Sequence, residues 1–331
     1  MSRYAKQSLF LGEASQEKIA KACVAIVGLG ATGSVLAQWL ARAGIGTLHL
    51  IDRDFVEISN LQRQLLYDES DLGQPKALAA ERKIRSINSS IRIYAHVVDL
   101  IPDNAEQLLS HADVMGDGTD NFEARFLMND VSIRHHIPWV YNGAVGSEGM
   151  IWPIHPPATP CFRCLMEQPP EQSDIDTCDT AGVLGPVTGL IGSWAAIEIL
   201  KFVVGEPPQS DLVRLDQWSN ERQFIHAPIT RCRFCREGIT EFLDTPWQFK
   251  TSSLCGTPGV QLRVNPARNI DLHSLFSHLK PRKDSDWKLT PLFIQGKERD
   301  IAITIFKDGR MLFRGDILPE TAQQWFHEVL E

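Results

Sequence analysis

An apolar run, Val24-Ala25-Ile26-Val27, feeds directly into Gly28-Leu29-Gly30-Ala31-Thr32-Gly33, and a second apolar run ends at Asp52. Strand, glycine-rich turn, helix, strand and acid in this order make the first unit of a parallel α/β sheet. Glycines at positions 28, 30 and 33 allow a tight turn. They also let a phosphate approach the helix N-terminus, whose free N–H groups favour anions. Asp52 closes the second strand, where a carboxylate can accept hydrogen bonds from ribose hydroxyls. A purely structural turn is the plainer reading of the glycines. Up to Asp52 the pattern also suits a nicotinamide cofactor, and with it an NAD-dependent oxidoreductase.

The residues that follow narrow the choice. Asn60, Arg63 and Gln64 share one short segment, and Lys76 follows Pro75, which can start a helix. Arginine offers phosphate oxygens a planar fork of donors, and lysine a mobile point charge. Together they suit a triphosphate, and a nicotinamide site does not require them. Taken alone, such a stretch reads as a solvated charged loop; placed after a nucleotide-binding strand, it reads as a phosphate-contacting segment. Farther on, Asp117-Gly118-Thr119-Asp120-Asn121 ends another strand, the position at which open parallel sheets bind ligands. Asp120 offers a hard oxygen ligand to Mg²⁺. Asp120 or Asn121 is also suited to cap the next helix.

Patterning sets these motifs in a doubly wound, Rossmann-like α/β sheet. Strands are expected at 23–28, 47–52, 92–98, 112–117 and 138–142, with helices at 32–43, 75–87, 103–110 and 122–135. Past Gly143 the rhythm gives way to antiparallel strands at 149–155 and 212–229, so the sheet is expected to be mixed. A polar connection runs from Glu167 to Thr180. After it, 183–203 reads as a largely buried helix, broken near Gly192. The nucleotide-binding domain is assigned to residues 1–240 and a linker to 241–257. A small C-terminal α/β domain is assigned to 258–331, with strands at 260–264 and 289–294, a hairpin turning at Lys307–Arg310, and a closing helix at 319–330.

The formal charge of −8 argues against non-specific nucleic-acid binding. No apolar stretch reads as a span of the roughly 20 residues a bilayer requires. The first residues lack a signal-peptide core. A soluble cytoplasmic protein is expected, with neither nucleic acid nor membrane as a partner. Seven cysteines, an odd number, favour metal binding over a disulfide framework. Cys161-Phe162-Arg163-Cys164 and Cys232-Arg233-Phe234-Cys235 are matched C-x-x-C pairs that can complete a tetrahedral zinc site; a redox role is the alternative. Four thiolates would close the site, making it structural. Cys178, in a polar stretch outside both pairs, is either a small buried residue or a nucleophile for sulfur chemistry. Cys23 and Cys255 read as structural.

In this order the motifs closely resemble those of the ThiF/MoeB family, bacterial relatives of the ubiquitin-activating enzymes. The resemblance spans roughly residues 3–240. It rests on Arg3-Tyr4-x-Lys6-Gln7, the glycine loop, Asp52, Asn60-Leu61-Gln62-Arg63-Gln64 and Gly73-Gln74-Pro75-Lys76. It extends to Gly118-Thr119-Asp120-Asn121, both cysteine pairs, and Cys178 before Thr180-Ala181-Gly182. The resemblance implies an ATP-dependent adenylyltransferase that activates the C-terminal glycine of a ubiquitin-like sulfur-carrier protein. That carrier is ThiS of thiamine synthesis, or alternatively MoaD of molybdopterin synthesis. It further implies that Asp52 binds the ATP ribose, that Asn60, Arg63, Gln64 and Lys76 contact the phosphates, and that Asp120 lies near Mg²⁺. Other implied features are a zinc ion on Cys161, Cys164, Cys232 and Cys235, a cysteine desulfurase as a partner, and a homodimer. In that dimer a basic residue near the N-terminus reaches the partner's ATP site, and here Lys6 stands where relatives carry arginine. In some relatives the cysteine matched by Cys178 joins covalently to the carrier.

Overall fold

In the computed structural model, residues 3–170, 180–228, 232–245, 249–253, 259–264, 269–281, 286–298 and 300–330 are described. The chain divides into two compact units, Met1–Thr245 and Pro246–Glu331.

The first unit opens with two helices that the sequence reading does not assign, α1 (Ala5–Leu11) and α2 (Glu13–Lys21), hinged at Gly12 with φ 82°. The expected alternation follows: β1 (Cys23–Val27), α3 (Gly33–Ala43), β2 (Thr47–Ile51), α4 (Lys76–Ile87), β3 (Arg92–His96), α5 (Pro102–Leu109), β4 (Val114–Asp117), α6 (Phe122–His135) and β5 (Trp139–Val145). Next come β6 (Glu148–Ile154), α7 (Phe162–Leu165), α8 (Gly185–Val204), β7 (Leu212–Asp216), β8 (Glu221–Ile225), α9 (Arg233–Glu237) and α10 (Glu241–Asp244). One eight-stranded sheet runs in the order β3-β2-β1-β4-β5-β6-β7-β8. Strands β3 to β5 are parallel, and each pairing from β5 to β8 is antiparallel. The expected mixed, doubly wound sheet is therefore present.

Helices explain why β1 is apolar on both faces, with Val24, Ala25 and Ile26 fully buried. Leu36 and Leu40 of α3, Ala80 and Ile84 of α4, and Ile191 and Ile199 of α8 pack on one face. Leu108 of α5 and Phe126 and Leu127 of α6 pack on the other, with Trp139 and Trp152. The sheet changes direction at a two-residue turn after Val145, where Gly146 has φ 60°, a value suited to a tight hairpin.

Helix α8 corrects two expectations. It runs unbroken through Gly192, because that glycine serves packing and not a kink. A Cβ there would lie 2.5 Å from the Thr32 carbonyl oxygen and 2.8 Å from Val35 Cβ, so its absence lets α8 press against the start of α3. The helix is also 20 residues long and, by length and composition, apolar enough to cross a bilayer. Its apolarity has another use here, since Val187, Ile191, Ala195, Ala196 and Ile199 enter the core against the sheet.

Among its described residues, the second unit forms a six-stranded antiparallel sheet with two helices. Its elements are β9 (Phe249–Ser253), β10 (Gly259–Val264), α11 (Leu272–Leu279), β11 (Lys288–Leu289), β12 (Phe293–Glu298), β13 (Ile301–Phe306), β14 (Met311–Arg314) and α12 (Pro319–Leu330). Leu275, Leu279, Ile294, Ile305, Phe313 and Phe326 form its core. The single strand expected at 289–294 is two strands, because Thr290 Oγ1 accepts from the N–H groups of Leu292 and Phe293 and turns the chain. The hairpin at Lys307–Arg310 is present, with Gly309 at φ 86°.

Two glycines on α8 test the packing account. Gly192→Ala is expected to lower the unfolding free energy by about 1–3 kcal/mol through overpacking. A Cβ on Gly189 would sit 3.8 Å from Leu65 Cδ1, so Gly189→Ala should gain up to about 1 kcal/mol of helix propensity. Urea titrations of both variants decide the matter, and shifts of equal size and sign would refute it.

Candidate active site

The site forms where the strand order reverses, between the carboxyl ends of β1 and β4, whose residues Val27 and Asp117 are paired. The backbone leaves β1 at Gly28 with φ 84°, a conformation that disfavours a side chain. Cβ atoms on Gly28, Gly33 or Gly118 would each overlap backbone of another of the three. The loop after β1, the start of α3 and the loop after β4 therefore touch through backbone alone. Gly30 differs: a Cβ there would lie 3.8 Å from both Gln64 Nε2 and the Gly118 carbonyl, so open space fronts it. Helix α3 begins beside that space without a side-chain cap.

Asp52 is buried at the end of β2. Its Oδ2 accepts from the Leu29 N–H at 2.6 Å, and its Oδ1 from the Asp54 N–H at 2.7 Å. Burial pushes its carboxyl up to about 6 against the opposing field of Lys76. Lys76, the first residue of α4, is buried as well, with Nζ 3.7 Å from Asp54 Oδ2. Burial disfavours its charge, but Asp54, Asp52, Asp120 and Glu57 outweigh that effect and raise its pKa. Buried Tyr67 ties the parts together: its hydroxyl lies 3.0 Å from the Leu29 carbonyl and 3.3 Å from that of Lys76.

The intervening segment curls beneath the cradle. Asn60 Oδ1 accepts from the Glu57 N–H, and the Asn60 carbonyl accepts from the N–H groups of Arg63 and Gln64. Gln64 is buried, and its Oε1 has no hydrogen-bond partner among the described residues. Arg63 is half-buried and donates to the Ser59 carbonyl. The start of α8 backs this segment: a Cβ on Gly185 would lie 2.7 Å from the Gln62 carbonyl oxygen, and Thr188 Oγ1 lies 3.4 Å from the Arg63 carbonyl.

On the β4 side, buried Asp117 takes Arg125 Nε on Oδ2 at 2.8 Å, and the Thr119 N–H and hydroxyl on Oδ1. Arg125 Nη2 donates to the carbonyls of Thr119 and Asn142. The helix cap falls to Asn121, whose Oδ1 accepts from the Ala124 N–H. Asp120 is left exposed at the mouth, acting electrostatically on Lys76, Arg53 and Arg125. Sequence reasoning missed Asp54, Tyr67, Arg125 and the packing role of Gly118. Only Arg125 had a usable signal, a cation on the helix that follows a strand ending in an acid. Lys6 is exposed on α1, and Cys178 lies outside the described residues.

Both cysteine pairs converge. Cys161 precedes α7 and Cys232 precedes α9, so each pair wraps a short helical turn. Sγ–Sγ separations of 3.7 Å join Cys161 to Cys232, Cys161 to Cys164, and Cys164 to Cys235. Tetrahedral ligands about 2.3 Å from a zinc ion stand roughly 3.7 Å apart, so the residues fit that ion. Buried Arg163 stacks 3.2 Å from the Phe234 ring centroid and bonds Glu241 at 2.9 Å, bracing the two segments.

Residues 3–235 match the model of the ThiF family. The chain is 36% identical over 333 residues to a sulfur carrier protein ThiS adenylyltransferase of Bacillus subtilis, an alignment covering 98% of each chain. It is 33% identical to a sulfur carrier protein adenylyltransferase of Thermus thermophilus, over 73% of this chain and 93% of that one. Against the adenylyltransferase and sulfurtransferase MOCS3 of Sus scrofa it is 40% identical, over 62% of this chain and 46% of that protein. In fold it is similar to the crystal structure of E. coli MccB with MccA-N7isoASN, with TM-score 0.64, 23% identity, and coverage of 71% of this chain and 75% of that one.

The raised Asp52 carboxyl has a consequence for stability. Its folded pKa, about 6, exceeds the ordinary 3.8, so the folded state binds the extra proton between these values. The stability it contributes is full below the lower value and is lost as pH rises through the upper one. Wild-type unfolding free energy should fall by roughly 2–3 kcal/mol across that window on account of this group. Asp52→Asn should remove that decline in urea titrations at graded pH; an unchanged slope would refute the assignment.

Proposed function

The chain belongs to the ThiF family, and on that premise we propose that it is an ATP-dependent adenylyltransferase acting on the C-terminal glycine of a ubiquitin-like sulfur-carrier protein. One observation carries the reading: Lys76, buried and held charged among carboxylates, at the mouth of a backbone-lined glycine cradle. The full-length match to the ThiS adenylyltransferase, which includes the C-terminal unit, favours a ThiS-like carrier over a MoaD-like one. Nicotinamide chemistry would leave Arg63, Lys76 and the cysteine pairs without a task.

A glycine carboxylate is a poor acyl donor because its oxygen leaves badly. Attack by that carboxylate on the α-phosphorus of ATP expels pyrophosphate and leaves an acyl adenylate, which a sulfur nucleophile can open. Asp52 would hold the ribose, and the N–H groups around Gly28, Gly30 and Gly33 would receive phosphate oxygens. Asn60, Arg63, Gln64 and Lys76 would hold the remaining phosphates, with Asp54 aiming the lysine. Asp120 would carry Mg²⁺, which supplies positive charge against the departing pyrophosphate. Zinc on Cys161, Cys164, Cys232 and Cys235 would be structural. In a homodimer Lys6 would serve the partner's site, and Cys178 would take part in sulfur transfer from a cysteine desulfurase.

Losing one pre-positioned donor typically costs about 3–4 kcal/mol in the transition state. Lys76→Ala should therefore lower carrier-dependent ATP–pyrophosphate exchange by about 10²–10³-fold with the fold intact, and Cys178→Ser should leave exchange unchanged. Near-normal exchange in Lys76→Ala would sink the proposal, and running the assay with ThiS-like and MoaD-like carriers identifies the substrate. Metal analysis tests the zinc assignment independently: Cys161→Ser should lose about one zinc per chain, and unaltered zinc content would refute it.

A further inference from the structure

Cys23, first read as structural, belongs to a second cluster of metal-binding side chains. Strand register assembles it. Cys23 pairs with Thr47, Ala25 with His49, His49 with Tyr94, and Ile51 with His96. Side chains alternate along a strand, so Cys23, His49 and His96 project from one face, stepping diagonally across β1, β2 and β3. Elsewhere on that face Ala25, Val27 and Ile51 are apolar and packed beneath α5 and α6. His111 is delivered from the chain between α5 and β4. Asp113 fixes that chain by a reciprocal pair of bonds: its N–H donates to the Cys23 carbonyl at 2.8 Å, and its Oδ2 accepts from the Cys23 N–H at 2.8 Å.

The four side chains meet. Ring centroids of His49 and His111 are 4.0 Å apart, and His49 Nδ1 lies 3.1 Å from His96 Nε2. Cys23 Sγ and one nitrogen each of His49 and His111 all fall within 4.8 Å of one another. Ligand atoms about 2.0–2.3 Å from a tetrahedral zinc ion stand some 3.3–3.7 Å apart, so small side-chain rotations close the gap. Thr47, Arg92 and Tyr94 share that face, with Tyr94 stacked on His49 at 4.8 Å, and beside them three imidazoles and a thiol gather within ligand reach. Exposed His111 opens the cluster to solvent, while Cys23, His49 and His96 are half-buried.

We propose that Cys23, His49 and His111 bind one divalent transition-metal ion of the zinc type, with water in the fourth position. His96 is a positioning residue: by engaging His49 Nδ1 it leaves Nε2 as the ligand atom. Metal-bound histidines are commonly oriented through their second nitrogen in this way. Thiolate and imidazole donors select borderline ions such as Zn²⁺ and Co²⁺ over Mg²⁺ or Ca²⁺. Three protein ligands make an open, exchangeable site, unlike the closed set of four cysteines.

The test uses the full chain, purified with its four-cysteine site filled, and titrated with Co²⁺ as an optical probe. One further equivalent per chain should bind, with a cobalt–thiolate charge-transfer band. That band should vanish in Cys23→Ser, and His96→Ala should weaken binding about 10–100-fold. His111→Ala, at an exposed position, keeps the sheet intact and should abolish the rise in melting temperature that added zinc gives the wild type. Absence of a further equivalent, or a band and melting shift that survive both Cys23→Ser and His111→Ala, would overturn the site.

Discussion

The backbone contact among Gly28, Gly33 and Gly118 is the constraint on which the first unit depends. At the point where strand order reverses, the chain leaving β1 and the chain leaving β4 turn away to opposite faces, and side chains would force them apart. Without Cβ atoms the two loops close on each other and on the start of α3. That closure fixes the uncapped N-terminus of α3 beside Asp52 and Asp120. It also reaches the outer layer, because α8 seats Gly192 directly on Thr32 and Val35 of the same loop and helix. Cradle and helical layer are thus one packing problem, solved four times by glycine.

Charge is organised around that closure in two ways. Asp117 and Arg125 form a buried ion pair whose hydrogen bonds run to Thr119 and Asn142. Such a pair gains little net stability over apolar packing, but it locks the loop that presents Asp120. Lys76 is treated differently. It stands 3.7 Å from Asp54, too far for a tight bond, within the fields of several carboxylates. In the proposed reaction Lys76, charged yet loosely paired, would turn toward an incoming phosphate, and Asp52, near 6, would accept from hydroxyls.

Much of this was legible in the sequence, for physical reasons. The parallel half announces itself through buried strands and glycine turns, and cysteine spacing foretells the meeting of Cys161 and Cys164 with Cys232 and Cys235. What stayed hidden depends on neighbours distant in the chain. Gly192 looks like a helix breaker until α3 is seen against it. Tyr67 follows Leu65 and Leu66, with nothing local to mark its hydroxyl as a strut between Leu29 and Lys76. Helices α1 and α2 precede the first strong periodicity, and Leu9 and Phe10 remain exposed, so no amphipathic pattern signals them. Cys23, His49, His96 and His111 are scattered over four segments, and only strand register makes them neighbours.

The two metal-binding arrangements illustrate how ligand number divides structural from exchangeable sites. Helices α7 and α9 are single turns, too short to bury the apolar surface that would hold them together unaided. Among the described residues, Ile133 and Phe234 pack around the cysteines, and Phe162 of α7 reaches the neighbouring core. Four thiols at 3.7 Å spacing gain little from one another as neutral groups, and as thiolates they repel. A zinc ion there would balance them and take over part of the work of a core, with Arg163 wedged against Phe234 as its brace. With four protein ligands it would keep no position for substrate. The set of Cys23, His49 and His111 sits instead on a sheet already stabilised by its own core, so an ion there is not needed to hold the fold. Loss of that ion would leave the strands intact, which is the condition for a site that can fill and empty while the nucleotide cradle keeps its shape.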